Sequence, residues 1–237
     1  MLKKLAIAAV AVLVVVGGAF WWFVLRDDAP EELSLEGRST DTTEAATPAP
    51  DTYDGTWTVQ TGGETTAGLR IDESFASGLA DHTAVGRSDD VSGSFTVDGS
   101  TVSEGSFTVD LTTLTFTDDP GRSVAGRANA MKTRGLETEQ FAEATFEITS
   151  PVDLGAAPAD GETVTATVTG DLTLHGVTNE VTFDVEAEVA GGTITVVTAD
   201  PVPVVLADYD IDKPTGGPIA EISDEGSFEF LIVLAQG

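Results

Sequence analysis

The chain has 237 residues, with 40 Asp and Glu against 11 Lys and Arg, a net charge of −29 and no cysteine. So acidic a surface repels nucleic acid and anionic lipid headgroups, which excludes both as partners of that surface. The missing thiols exclude disulfides, thiolate metal sites and Cys nucleophiles, while the length and apolar content suffice for one folded domain.

From the N-terminus, Lys3 and Lys4 precede an uncharged run from Leu5 to Leu25, about the length that spans a bilayer. It closes on Phe20-Trp21-Trp22-Phe23, aromatics suited to an interfacial belt, rather than on the small residues of a signal-peptide cleavage site. Residues 5–25 are therefore read as a single transmembrane anchor. The lysines put residues 1–4 in the cytoplasm and the acidic remainder on the extracytoplasmic side. Residues 26–52, rich in Asp, Glu, Thr, Ala and Pro, read as a flexible linker, and 53–237 as the folded domain.

That domain consists of short alternating segments punctuated by glycine. Strands are expected at Thr56–Gln60, Leu69–Phe75, Ser92–Val97, Thr101–Phe116, Ala144–Thr149, Thr163–His175, Thr178–Val189, Thr193–Thr198, Val202–Ile211 and Ser227–Ala235. Asp98-Gly99-Ser100 and Ala190-Gly191-Gly192 have hairpin-turn chemistry. Only Arg127–Phe141 lacks the alternation, and Met131, Leu136 and Gln140 suit a short helix. About ten strands with one apolar face each imply an all-β fold, a sandwich or a closed barrel, and closure removes exposed edges.

The strongest pattern is Thr163–Val189. Val164, Ala166, Val168, Leu172 and Leu174 alternate with Thr and Asp; Gly176 permits a turn; Val181, Phe183, Val185, Ala187 and Val189 then alternate with polar residues. A lone hairpin with such a greasy face is marginal in water, so it must belong to a larger antiparallel sheet.

Few residues offer chemistry. His175 precedes the turn glycine on the polar face of its strand, where it can hydrogen-bond a carbonyl or meet a ligand head group. His82 lies in a loop-like stretch, and two histidines build neither a triad nor a His-rich metal site. Asp208, Asp210 and Asp212 alternate as on an acidic strand face, but Lys213 and Ile219 stand where a calcium-binding EF-hand loop needs Gly and Glu. Arg127 and Arg134 are scarce positive charges, able to pair with a ligand phosphate at a barrel mouth or with nearby glutamates. No glycine-rich phosphate loop and no distinguished carboxylate pair marks an enzyme.

Gly170, Leu172, Thr173, His175, Gly176, Thr178, Val181 and Phe183 resemble the G-x-L-T-x-H-G-x-T-x-x-V pattern of the YceI-like, polyisoprenoid-binding family. Arg127, Met131, Leu136, Phe141 and Phe146 fall at the spacing of that family's upstream segment, with Ala128 replacing its usual Asp and Ala142 its usual Pro. Gly55-Thr56-Trp57-Thr58-Val59 and Gly226-Ser227-Phe228-Glu229-Phe230 are similar to its edges. The resemblance implies an antiparallel lipocalin-like β-barrel with one short helical segment, following the anchor and linker. It implies a non-enzymatic carrier that needs no cofactor and holds a long-chain isoprenoid lipid. Candidate lining residues are Phe95, Phe107, Leu111 and Phe146 from the first half of the barrel, and Leu172, Leu174, Phe183, Phe228 and Phe230 from the second. Arg127, Met131, Leu136, Phe141 and His175 complete the candidate binding set. The alternative is a solid-packed barrel that acts as an envelope interaction module through its loops.

Overall fold

Period-two alternation builds the architecture. A computed structural model describes residues 29–36, 52–75, 81–117, 125–155, 159–214 and 219–237. The anchor read at 5–25 lies outside the described residues, among which no helix is long and apolar enough to cross a membrane.

The strands are β1 (Gly55–Val59), β2 (Thr66–Phe75), β3 (Asp81–Ser88), β4 (Val91–Asp98), β5 (Thr101–Asp110), β6 (Thr115–Phe116), β7 (Glu143–Ile148), β8 (Val152–Asp153), β9 (Thr163–Leu174), β10 (Val177–Ala190), β11 (Thr193–Thr198), β12 (Val202–Val205) and β13 (Ile219–Gln236). Antiparallel neighbours run β1-β4-β5-β7-β9-β10-β11-β13, and β13 returns to β1 through Trp57↔Gln236 and Val59↔Leu234. That closes an eight-stranded barrel, whose interior is either filled by side chains or holds one small ligand. The 18-residue β13 does double duty. Its C-terminal part seals the barrel against β11 and β1, while its N-terminal part pairs with β12 and β2 and so adds the branch β2-β3-β6.

The hairpin read at Thr163–Val189 forms β9 and β10, in register from Val177↔Leu174 to Glu188↔Thr163. Gly191 and Gly192 both take positive φ in the next turn, as a twist-matched two-residue hairpin turn requires.

Several expectations are corrected. β3 has no alternation in sequence, yet Ala84 and Val85 are both buried because the strand is covered on both faces. His82 is therefore on a strand, buried opposite Glu73, and not in a loop. The strand read at Thr101–Phe116 breaks after Asp110, whose carboxylate accepts from the Thr112 amide at 2.8 Å and the Thr112 hydroxyl at 2.6 Å. This cap starts a 3-10 turn at Leu111–Thr113 and sends the chain across to β3 as β6. The strand read at Val202–Ile211 stops at Val205; Leu206–Tyr209 is a 3-10 turn and Asp210 is left-handed. Asp208, Asp210 and Asp212 thus share no strand face, and Tyr209 and Ile211 are the buried members. The helical segment is α1 (Ala125–Ala130), continued by a π-helical turn Met131–Gly135, and it buries Met131 and Leu136. Finally, residues 29–36, inside the stretch read as linker, lie against the barrel.

The core has two centres. One gathers Trp57, Val97, Val189, Ile194 and Leu234; the other gathers Ile71, Leu114, Met131, Tyr209 and Ile222. Phe146, Val181 and Phe228 touch both.

Candidate functional site

The inward residues of the strands do not fill the barrel. They leave a partly open cavity of about 250 Å³ with an almost wholly apolar lining. Packed interiors hold few voids larger than a water molecule, so an apolar space of this size is not ordinary core packing. Phe107, Phe146, Phe228 and Phe230 point inward and yet remain only half-buried, because they face this space.

Phe95, Phe107, Leu111, Met131, Leu136, Phe146, Leu172, Leu174, Phe183, Phe228 and Phe230 all line the cavity. So do Leu69 and Ile71 of β2, Ile148 of β7 and Ile232 of β13, which the sequence reading did not single out. Their signal was the same alternation, in strands that also carry plain core residues. At mid-barrel Phe183 has ring centroids of Phe146 and Phe228 each at 5.3 Å and that of Phe230 at 6.1 Å, in tilted and edge-on contacts that aromatic rings favour. Gly170 makes this cluster possible: a Cβ there would stand 2.4 Å from the Phe146 ring and from the Glu147 carbonyl.

The remaining candidates lie elsewhere. His175 and Gly176 form the two-residue β9–β10 turn with φ of 52° and 78°, so His175 is in the left-handed region and not on a strand face. Buried there, its Nδ1 bonds the Tyr209 carbonyl at 3.1 Å and its Nε2 the Glu137 carboxylate at 3.0 Å. Phe141 packs on the imidazole at 4.3 Å between centroids and against Gly176. Neither His175 nor Phe141 lines the cavity. They instead pin three segments whose neighbouring residues Leu136, Leu174 and Ile211 do line it, which makes His175 a clasp beside the cavity. Glu137, His175 and Asp210, the three non-glycine residues with positive φ among those described, all lie at or next to this clasp. Arg127 stands on α1, and its side chain lies outside the described part. Arg134 is exposed on the π-helical turn. Burial raises the Tyr209 phenol above its ordinary range, with Asp208 adding to the effect. Among the described residues no three His, Asp or Glu side chains gather as a metal site requires.

The family description of the YceI-like domain matches residues 57–234, from β1 to the closing part of β13. The chain belongs to the YceI-like family. One solved structure agrees at the level of fold. A polyisoprenoid binding domain from Saccharophagus degradans, implicated in plant cell wall breakdown, is similar at TM-score 0.59 and 21% identity, covering 78% of this chain and 99% of that one. Burkholderia cenocepacia BcnA gives 0.47 and 19%, over 70% and 95% of the two chains, and the Campylobacter jejuni YceI protein 0.44 and 12%, over 88% and 99%. A search of curated proteins finds no match. The hairpin β9–β10 and the Val59↔Leu234 pair of the closing strands fall within the YceI-like match.

Proposed function

We propose that this YceI-like protein is a membrane-anchored, extracytoplasmic, non-enzymatic binding protein that holds one long-chain isoprenoid lipid in its barrel. The cavity carries the reading. It is lined almost wholly by aliphatic and aromatic side chains, drawn from seven of the eight barrel strands, which suits a hydrocarbon rather than a sugar, nucleotide or peptide. Affinity comes from removing the chain from water, about 0.8 kcal/mol per buried methylene. A solid-packed interaction module fits poorly with an apolar space of this size. The similarity to a polyisoprenoid binding domain supports an isoprenoid as the hydrocarbon, and the run from Leu5 to Leu25 supports the anchor.

The test is native mass spectrometry of the full chain purified from its host in a mild detergent, followed by organic extraction of the bound fraction. The expected result is a one-to-one complex with a polyprenyl species. A chain that arrives empty and takes up no added polyprenyl alcohol or phosphate refutes the reading.

A further inference from the structure

Glu229 stands in the cavity wall and is 1% exposed, and its position between Phe228 and Phe230 on β13 turns its carboxylate to the other face of the strand. A buried carboxylate demands partners, and the sheet supplies two. Arg87 of β3 reaches it with Nη2 at 2.8 Å and Nε at 3.2 Å, and Arg70 of β2 with Nη1 at 3.4 Å. Gly68 lies between the strands of Arg87 and Glu229, and a Cβ there would meet the Arg87 Cγ at 2.9 Å, so the glycine clears the path. The rest of the coordination comes from outside the barrel. The Leu33 amide donates to Glu229 Oε2 at 3.1 Å, Arg70 Nη2 donates to the Pro30 carbonyl at 3.0 Å, and Arg87 Nη2 to the Glu31 carbonyl at 2.7 Å. Both guanidinium groups thus bridge the carboxylate to the backbone of residues 30–31, and the carboxylate itself holds Leu33. This is a built site for a strap of the chain's own N-terminal segment.

We infer that the strap seats the barrel on the bilayer surface, with the outer face of β2, β3 and β13 toward the membrane. The inference rests on the anchor proposed for residues 5–25. If residues 26–52 were a free flexible linker, the barrel would lie on average roughly 30 Å from the anchor. With the first docking contact at Pro30, only residues 26–29 intervene, and four residues reach at most about 14 Å however they are arranged. The strap also answers an electrostatic problem, since a chain of net charge −29 is repelled by anionic headgroups and would otherwise float to the limit of its tether. The inner face of the same wall, through Leu69, Ile71 and Phe228, lines the cavity. The lipid site is therefore one sheet thickness from the membrane-facing surface.

The chain has no cysteine, so single labelling sites are clean. Asp72→Cys places a fluorophore on exposed β2 beside the strap, and Thr165→Cys places one on exposed β9 of the barrel ring. In vesicles of zwitterionic phospholipid carrying a headgroup acceptor, energy transfer should be several-fold stronger from the β2 label. Replacing residues 29–36 by a Gly-Ser segment of equal length with proline at position 33 leaves Glu229 paired with Arg70 and Arg87, removes the amide that Glu229 holds and raises the entropy cost of docking the rest, and should collapse that difference. Equal transfer from both labels in the native chain, or a difference that survives the replacement, overturns the inference. Amide exchange on the full chain reads the strap independently: Leu33 should be protected, and a fast-exchanging Leu33 refutes docking itself. A chain that fails to float with the vesicles refutes the anchor reading and the bilayer placement with it, while a protected Leu33 would still establish the strap.

Discussion

Two residues of the central hairpin carry more than their positions suggest. Gly170 interrupts an inward row where the alternation calls for a side chain, and the vacancy is filled by Phe146 from the next strand. Gly170→Ala would force the ring and the Glu147 carbonyl away, an overpacking cost of about 1–3 kcal/mol, and would push Phe146 into the cavity. A lower denaturant midpoint together with weaker polyprenyl binding is the expected outcome; a change in neither would show that the sheet absorbs the methyl group. His175 is held in the left-handed region, which Asn also tolerates. His175→Asn should therefore keep the turn but leave the buried Tyr209 carbonyl or the Glu137 carboxylate without its partner, costing about 1–3 kcal/mol. If the His175 clasp steadies the cavity, the same variant releases bound lipid faster, which stopped-flow displacement would detect.

At the scale of elements, the sequence was legible wherever one face of a strand was buried and the other wet. The β9–β10 hairpin was read to within a residue at each end for that reason, and its turn followed from Gly176. β3 was not legible, because a strand covered on both faces, with Ala84 and Val85 adjacent and His82 and Ser88 buried, shows no apolar period. The strap was hidden differently: residues 29–36 have linker composition, and what holds them is Glu229, 196 positions away from Leu33. The break after Asp110 was misread because its cap is one polar side chain in an alternating run. That cap makes a pH-dependent claim. The Thr112 hydroxyl and amide, bonded to the Asp110 carboxylate, hold its pKa below the ordinary carboxylate range. A depressed folded value means that the stabilisation is complete above the unfolded pKa of about 3.9 and is lost as pH falls through the folded value. Asp110→Asn should thus be less stable than the native chain at neutral pH, with the gap narrowing below about pH 4 in urea titrations. A gap that is constant down to pH 2 would assign the loss to something other than the ionised cap.

For the whole molecule, the sequence showed which residues face inward but not whether they fill the barrel. Phe183 and Leu172 would read the same in a solid core as around a lipid, and only closure of eight strands decides that the space between them stays open. This separates stability from function in a testable way. Ala187 of β10 lines the cavity, is only half-buried, and its neighbours in the wall are already apolar. Ala187→Leu adds three carbons to the void without a new polar group. Were the barrel merely a scaffold, filling its void would be harmless or beneficial. Each buried methylene contributes about 0.8 kcal/mol, so the lipid-free protein should gain about 1–2 kcal/mol once strain is subtracted. Were the void a binding site, the same substitution removes the volume that the hydrocarbon occupies, and lipid copurification should fall even as the melting temperature of the empty protein rises. The opposed signs are the informative outcome, because a simple folding defect lowers both quantities and an unused void lowers neither.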